Sequence, residues 1–337
     1  MPELPEVQTT VNGLQKHVVG LKIADVWSNY NSPYFKGSKT IKDPSYFKHL
    51  KKELIGAKIT AVKRRAKNIL IYTLSSPRFA HLSKKSKPAR NEKILLIHMK
   101  MTGHLLYGTY HFDPSNKKDP WVVVEPKSLK DPFNRHVHFV ISFSNGKQLA
   151  LSDVRKFAKV TIIDAENMLE SDHIKHIGPE PLEKSFDFPA FAARLNLKPN
   201  GKIKQVLTDQ RIIAGIGNIY ADESLWHSGI HPSEKVGRID RLKWKQLFKA
   251  IKTTLSKGVD LGGDSTSDYR NVLGEKGSFH ETHHAYQRTG MRCDKKGCGG
   301  IINRMLLGGR SAHFCDMHQK LVNKRMIDGA SIIKQTK

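Results

Sequence analysis

Every cysteine of this chain falls within one short stretch, and that constrains the fold more than any other feature. Cys293, Cys298 and Cys315 are followed by His318 in a Cys-x4-Cys-x16-Cys-x2-His arrangement. Zinc favours four tetrahedral nitrogen or sulfur ligands, commonly two close pairs separated by a connecting segment. The spacing therefore predicts a closed site holding one structural zinc ion. Between the pairs, Ile301 to Leu307 and Ser311 to Phe314 read as strands flanking Gly308-Gly309-Arg310, which makes a β-hairpin finger. The alternative is three reduced thiols that meet ligand spacing by accident. Disulfides fit less well, because such a pattern in an intracellular chain is commonly metal-binding. His313 is a rival fourth ligand, but a single residue separates it from Cys315, so His318 is preferred.

Charge is the second constraint. The 337 residues hold 57 Lys+Arg against 31 Asp+Glu, a formal charge of +26. An excess of this size implies a polyanionic partner, DNA or RNA. An anionic membrane surface is the competing partner, but the basic residues are spread over the whole length instead of gathered in one amphipathic helix or tail. No run approaches the ~18 apolar residues of a membrane span, and Met-Pro-Glu-Leu-Pro-Glu lacks the basic start and apolar stretch of a signal peptide. A cytoplasmic monomer that associates with nucleic acid and makes no membrane contact is the expectation.

The patterning predicts a multidomain α+β chain, and the length suggests roughly two domains. Up to about Ile177, short β-branched runs read as strands: Ile59 to Val62, Ile69 to Leu74, Ile94 to Met99, His136 to Phe143 and Gln148 to Leu151. Ser144-Asn145-Gly146 is a hairpin signal between the last two. Val7, Val11, Leu14 and Val18 share one face of a helix. A β-sandwich with one N-terminal helix follows. Gly178-Pro179-Glu180-Pro181 reads as a linker, after which Phe188 to Leu195, Ile203 to Leu207, Ala221 to Ser228 and Asp240 to Ser256 are helical in pattern. Gly262 to Gly277 reads as a polar loop. Ser75 to Lys93 holds six basic residues against the single acid Glu92. It reads as a solvated basic loop, with a supplementary phosphate-contacting arm as the alternative. The tail beyond Lys320 is basic and expected to fray, with Ile332-Ile333 able to dock.

Met1-Pro2-Glu3-Leu4-Pro5-Glu6-Val7 resembles the N-terminus of the formamidopyrimidine-DNA glycosylase and endonuclease VIII family. Further segments are similar to that family's in the same order. They are Arg64-Arg65-Ala66-Lys67, His98-Met99-Lys100-Met101-Thr102-Gly103, Asp153-Val154-Arg155-Lys156-Phe157, Gly215 to Glu223, and Gly309-Arg310 before Phe314-Cys315. Together they cover nearly the whole chain. The resemblance implies a catalytic sandwich at 1–177, a helix–two-turn–helix domain at 178–262, a lesion-capping loop at 263–285, a zinc-finger hairpin at 286–320 and a basic tail at 321–337.

The implied activity is that of a bifunctional DNA glycosylase and apurinic/apyrimidinic lyase of base excision repair, with damaged double-stranded DNA as partner. The residues suit it. With Met1 removed, Pro2 presents a secondary α-amine, and an α-amino pKa of about 7.7–8.0 lies far below the ~10.4 of lysine. Such an amine can attack a sugar C1′ and form an iminium that serves as an electron sink. Glu3 can pass protons as general acid. Glu6 and Glu223 support the site, Glu223 by orienting the nucleophile or its water; for Glu6 a dipole-complementing acid at a helix start is an equal alternative. The resemblance implies that Lys67 contacts the lesion's phosphate and assists β-elimination, and that Arg310 holds flanking phosphates and promotes δ-elimination, a task suited to a guanidinium fork. Because base chemistry requires extrusion, Met101, Arg155 and Phe157 match the family's wedge. Asn218 and Lys204 would grip phosphate. His136 matches a DNA-contacting histidine, with a satisfied strand histidine as the alternative.

Departures from the family's pattern are the four-residue gap between Cys293 and Cys298, His318 where a cysteine is usual, Val154 for Pro, Lys156 for Arg, and long connections at Ser75 to Lys93 and Thr109 to Pro132. Gly274-Glu275-Lys276-Gly277-Ser278-Phe279 is similar to the capping loop of the formamidopyrimidine branch, so oxidised purines (8-oxoguanine, formamidopyrimidines) are the expected substrates. Oxidised pyrimidines are the alternative within the family. A non-catalytic zinc-finger binder or a ribosome-associated basic protein are the alternatives outside it.

Overall fold

The structure is a computed structural model that describes residues 1–30, 32–75 and 92–322. Most of the basic insertion Ser75 to Lys93, and the tail with Ile332 and Ile333, lie outside the described residues. Two compact units are present. The first joins Met1–His176 to Gly258–His280, and the second joins Ile177–Lys257 to the chain from Glu281 onward. The segments expected as a capping loop and a finger thus group largely with one unit each. Among the described residues no helix is long and apolar enough to cross a membrane.

The first unit runs α1 (Leu4–Val18), β1 (Ile23–Ser28), α2 (Pro44–Leu54), β2 (Lys58–Arg65), β3 (Asn68–Leu74), β4 (Glu92–His98), β5 (His104–Phe112), β6 (Trp121–Glu125), β7 (Val137–Phe143), β8 (Gln148–Ser152) and β9 (Lys159–Asp164). The strands form two antiparallel sheets, ordered β1-β7-β8-β5-β6 and β2-β3-β4-β9. One core joins them: Ile59, Ile71, Leu95 and Ile97 of the smaller sheet with Ile23, Phe139, Ile141 and Leu151 of the larger. Val7, Val11, Leu14 and Val18 of α1 are buried in the same core, which is the face that their spacing marks.

The larger sheet is covered on its other face as well. Leu106, Tyr110, Leu129, Val140 and Ala150 form a second cluster there, with Trp27 and Trp121 packed against it. All five residues of β8 are consequently buried, the apolar Leu149-Ala150-Leu151 between Gln148 and Ser152. The long connection Thr109 to Pro132 supplies that cover through β6 and Leu129.

Helix α2 is an element that the apolar pattern alone did not single out. Its signal is local: Asp43 accepts hydrogen bonds from the Ser45 and Tyr46 amides, and Pro44 occupies the first turn. Its apolar stripe is narrow, with only Leu50 and Leu54 fully buried.

Segment 258–280 is polar in composition yet docks firmly on α1 and β5. The Tyr107 amide donates to the Val272 carbonyl at 2.6 Å, and the Tyr269 hydroxyl donates to the Glu6 carbonyl at 2.9 Å. Arg270 is 1% exposed. Its guanidinium pairs with Asp131 at 3.2 Å and donates to the Ser267 and Tyr269 carbonyls. A buried arginine that satisfies this many acceptors makes a polar loop part of the interior.

The second unit contains α3 (Phe188–Asn196), α4 (Ile203–Thr208), α5 (Asn218–Ser228), most of α6 (Arg241–Asp260), and the hairpin β10 (Ile302–Leu307) and β11 (Arg310–Cys315). Gly229 ends α5 in the left-handed region at φ 63°. Gly308 and Gly309 form the hairpin turn at φ 57° and 75°, as a tight two-residue turn requires. Arg310, expected within that turn, instead opens β11 opposite Leu307.

Gly13 reports on the docking of 258–280. A Cβ there would lie 2.4 Å from Val272 Cγ2. Gly13→Ala should therefore lower stability by about 1–3 kcal/mol through overpacking, against a helix-propensity gain of up to about 1 kcal/mol. Val272→Ala in the same chain should recover part of the loss, so urea unfolding of the double-mutant cycle reads a coupling. A more stable Gly13→Ala protein would show that Val272 does not pack on α1.

Candidate active site and nucleic-acid interface

Pro2 and Glu3 lie where the chain enters α1. Pro2 is buried and Met1 is 40% exposed. Glu3 is the N-cap of α1 in extended conformation, and it forms a reciprocal capping box with Glu6. The Glu6 carboxylate accepts from the Glu3 amide at 2.7 Å, while its other oxygen accepts from the Asp264 amide at 2.7 Å. Gly263 makes that approach possible, since a Cβ there would stand 3.0 Å from Glu6 Cγ. Glu6 is thus a fixed acceptor that ties the arm carrying Pro2 to the docked segment. Its role combines helix capping with positioning.

Lys67 sits at the tip of the β2–β3 hairpin, where Arg65 pairs with Asn68 and Ala66 takes φ 52°. It is 7% exposed. Its charge acts on His98 at the end of β4: burial first, then Lys100 and Lys67, pushes His98 down to about 3. The imidazole is therefore neutral at physiological pH, and its Nδ1 accepts the Lys100 amide at 3.0 Å.

Met101, Arg155 and Phe157 are brought together by an acid. Asp153 is fully buried. Its carboxylate accepts from the Thr102 hydroxyl at 2.5 Å, the Tyr30 hydroxyl at 3.1 Å and the Ala158 amide at 2.7 Å. The Thr102 hydroxyl in turn accepts the Arg155 amide at 3.3 Å. Two loops distant in sequence are thereby held side by side. Met101 and Phe157 are 37% and 46% exposed, and the Arg155 guanidinium lies 4.5 Å over the Phe157 ring. A thioether, a ring and a guanidinium thus face solvent from two adjoining loops. Asp153 belongs to a quoted motif, but its bridging role is visible only in three dimensions.

His136 precedes β7, half-buried at φ 69°, and its carbonyl accepts the Asp153 amide at 3.0 Å. It does not belong to the strand in which the sequence pattern placed it.

In the second unit, the role expected of Lys204 is corrected. Lys204 is 3% exposed and does not present its ammonium as a phosphate grip. Nζ pairs with Asp222 at 2.6 Å and donates to the Ser311 carbonyl at 2.5 Å. Asp222 also accepts the amide and ring Nδ1 of His313 at 3.1 and 2.9 Å. Lys204 and Asp222 thus fasten β11 to α4 and α5. Glu223 is buried as well. Its buried carboxylate accepts three successive backbone amides, His284, Ala285 and Tyr286, at 2.8–2.9 Å. It holds the chain where it enters the finger. Asp222, one position earlier, was not singled out from sequence; an acid inside a helix has no pattern that marks it as buried.

Asn218 opens α5, whose N-cap is Gly217 with no side-chain cap, and its Oδ1 is buried without a hydrogen-bond partner. Arg310 is exposed at the hairpin end.

Cys293, Cys298, Cys315 and His318 converge, their ligand atoms all within 4.8 Å of one another, and they could hold a metal ion. The hairpin explains the convergence: Ile302 pairs with Cys315, which brings the two ligand pairs to one end. His313 is held by Asp222 and belongs to no such group.

Replacing Lys204 by Met tests the correction. It strands Asp222 in the interior, so urea unfolding should show a loss of about 3–5 kcal/mol. Unchanged stability with a DNA salt slope lowered by about 1 would instead mark Lys204 as a phosphate contact.

Comparison with known proteins agrees with this architecture. Residues 1–160 match the formamidopyrimidine-DNA glycosylase N-terminal domain, and residues 177–270 match the formamidopyrimidine-DNA glycosylase H2TH domain. The chain is 32% identical over 321 residues to the formamidopyrimidine-DNA glycosylase of Streptococcus pneumoniae, covering 95% of this chain and 99% of that one. It is 34% identical to that of Chloroflexus aggregans over 327 residues, covering 96% and 100%. Solved structures are equally similar. Lactococcus lactis Fpg complexed with abasic-site DNA matches at TM-score 0.73 and 30% identity, covering 94% of this chain and 99% of that one. MutM complexed with DNA containing carbocyclic 8-oxo-G matches at 0.74 and 30%, covering 95% and 100%. Family domains on two successive segments, joined to full-length relatives above 30% identity, establish that this chain belongs to the formamidopyrimidine-DNA glycosylase family.

Proposed function

We propose that this protein is a DNA glycosylase of base excision repair that also acts as an apurinic/apyrimidinic lyase, with oxidised purines as its preferred lesions. The observation that carries the reading is the N-terminal arm: Pro2 is buried beside Glu3, which a capping box and the Glu6–Asp264 bond hold in place. Once Met1 is removed, the secondary amine of Pro2 attacks C1′ of the damaged nucleotide and the C1′–base bond breaks, the base leaving with a proton. Glu3 then protonates O4′ as the C1′–O4′ bond opens, and the nitrogen lone pair forms the C1′=N iminium. The resulting iminium acidifies C2′: loss of a C2′ proton expels the 3′ phosphate with cleavage of C3′–O3′ (β-elimination), and loss of a C4′ proton then expels the 5′ phosphate with cleavage of C5′–O5′ (δ-elimination). Lys67 and Arg310 serve the phosphates flanking the lesion. Met101, Arg155 and Phe157 enter the gap left by the extruded base. His136 and Asn218 contact the backbone, and the position of Asn218 at the start of α5, where Gly217 supplies no side-chain cap, supports that role. One protein chain serves one lesion. The relatives reported above carry the formamidopyrimidine name, and one is complexed with 8-oxo-G DNA, which favours purines over oxidised pyrimidines.

The metal reading is zinc in a structural role. Tetrahedral zinc with sulfur at about 2.3 Å and nitrogen at about 2.0–2.1 Å places neighbouring ligand atoms roughly 3.5–3.8 Å apart. Cys298 Sγ lies 3.5 Å from Cys315 Sγ, and His318 Nδ1 lies 3.6 Å from both Cys293 and Cys298 Sγ. His318 Nε2 faces the Trp226 carbonyl at 3.1 Å, which favours the tautomer with Nδ1 free to ligate. At Gly300 a Cβ would stand 2.5 Å from Cys315 Sγ, so the ligand loop fits only with glycine there.

Borohydride trapping on a duplex with an abasic site tests the chemistry. A covalent adduct is expected for the Met1-free protein and not for one whose N-terminus is blocked; an adduct that survives blocking overturns the Pro2 assignment. Glu3→Gln should lower excision of 8-oxoguanine by about 10²-fold or more, while trapping on the pre-formed abasic site persists. Stripping zinc should unfold the finger and abolish incision, because structural zinc binding is coupled to folding. Incision that continues at full rate after metal loss would show that the finger's zinc is dispensable for placing Arg310.

A further inference from the structure

The glycosylase reading makes no use of a cationic cleft within the second unit. It has a volume of about 410 Å³ and lies between α6, the end of α5 and the loop joining Cys293 to Cys298. Lys243, Lys249 and Lys295 line it together with Gln246, Thr253 and Thr254, and no lining residue is acidic. The α6 members come from one face, since positions 243, 246, 250 and 253 recur at helical spacing.

Two features separate this cleft from an ordinary lysine-rich surface. Thr254 is 4% exposed, yet its Oγ1 is buried with no hydrogen-bond partner. A hydroxyl left unpaired in the interior costs free energy unless a ligand or water meets it. In addition, among the described residues no carboxylate forms an ion pair with the three ammonium groups. Lys243 Nζ donates to the Ser228 carbonyl at 3.1 Å, which fixes its position without neutralising it. Lys295 Nζ lies 5.9 Å over the Trp226 ring. Asp294, its neighbour, is engaged by His284 at 3.0 Å and Arg288 at 2.6 Å. Like charges held around one concavity repel each other until an anion enters.

We infer that this cleft binds a phosphate group, with the lysines supplying charge and the Thr254 hydroxyl a directional hydrogen bond. Phosphate matches the site because its several acceptor oxygens can meet ammonium and hydroxyl donors at once. The shared chemistry has two sources, a free phosphate-bearing molecule and the backbone of a DNA segment. The assignment stands apart from the proposed lyase chemistry, because none of the residues assigned to that chemistry lines the cleft.

The test is calorimetric titration of inorganic phosphate into zinc-loaded full-length protein at low ionic strength. Saturable binding with one-to-one stoichiometry is expected. Lys249→Gln removes an exposed charge without disturbing the core and should weaken it about tenfold, the usual worth of one charge-assisted hydrogen bond. Thr254→Val preserves shape and should weaken it severalfold. Lys245→Gln, an exposed α6 lysine outside the cleft, should change nothing. A second arm adds undamaged duplex. Displacement of phosphate identifies the DNA backbone as the source, and simultaneous binding identifies a free phosphate-bearing ligand. Absence of saturable binding, or equal weakening by Lys245→Gln and Lys249→Gln, overturns the site.

Discussion

A carboxylate that leaves water must collect donors, and four buried acids of this chain hold its functional segments by that rule. Glu6 takes the amides of Glu3 and Asp264, and Asp153 takes Ala158 with the Thr102 and Tyr30 hydroxyls. Asp222 takes Lys204 and His313, and Glu223 takes three amides in succession. Each acid joins pieces of chain that are distant in sequence. Each also stands next to a residue assigned a role in the proposed chemistry or the finger. Because charged hydrogen bonds in the interior are strong and costly to break, these points are stiff.

The rule also explains how a chain with charge +26 stays compact. Acids are outnumbered, and several of the few present lie inside, where they neutralise a buried cation or fix a loop. The exposed surface is left with the basic residues, and its field attracts a polyanion. In the proposed function the exposed trio Met101, Arg155 and Phe157 meets a duplex through that surface, its apolar members facing stacked bases and its guanidinium the phosphates.

The finger illustrates a different kind of support. Its hairpin has a thin core of its own, centred on Ile302, Ala285 and the cysteines against Trp226. The converged Cys3His group at one end, which could hold a metal ion, and the Lys204–Asp222–His313 cluster nearer the other supplement that core. A small module without enough apolar area generally needs such staples. The hairpin can then carry Arg310 at its exposed end.

Periodicity, turn chemistry and ligand spacing were enough to read five of the nine described sandwich strands (β2, β3, β4, β7 and β8), α1, the helical second unit, the hairpin and the Cys3His cluster, because each is a local pattern that survives without its neighbours. Helix α2 escaped because its buried stripe is two residues wide, and the 258–280 segment looked like a free loop because its interior contacts are polar. Pro2, Glu3 and the exposed trio were legible through motifs. What the acids and Lys204 do was decided by the tertiary structure alone. Whether a charged side chain meets water or a buried partner depends on the chain that packs over it, and nothing in the order of the residues around Lys204 or Glu223 records that it will be covered.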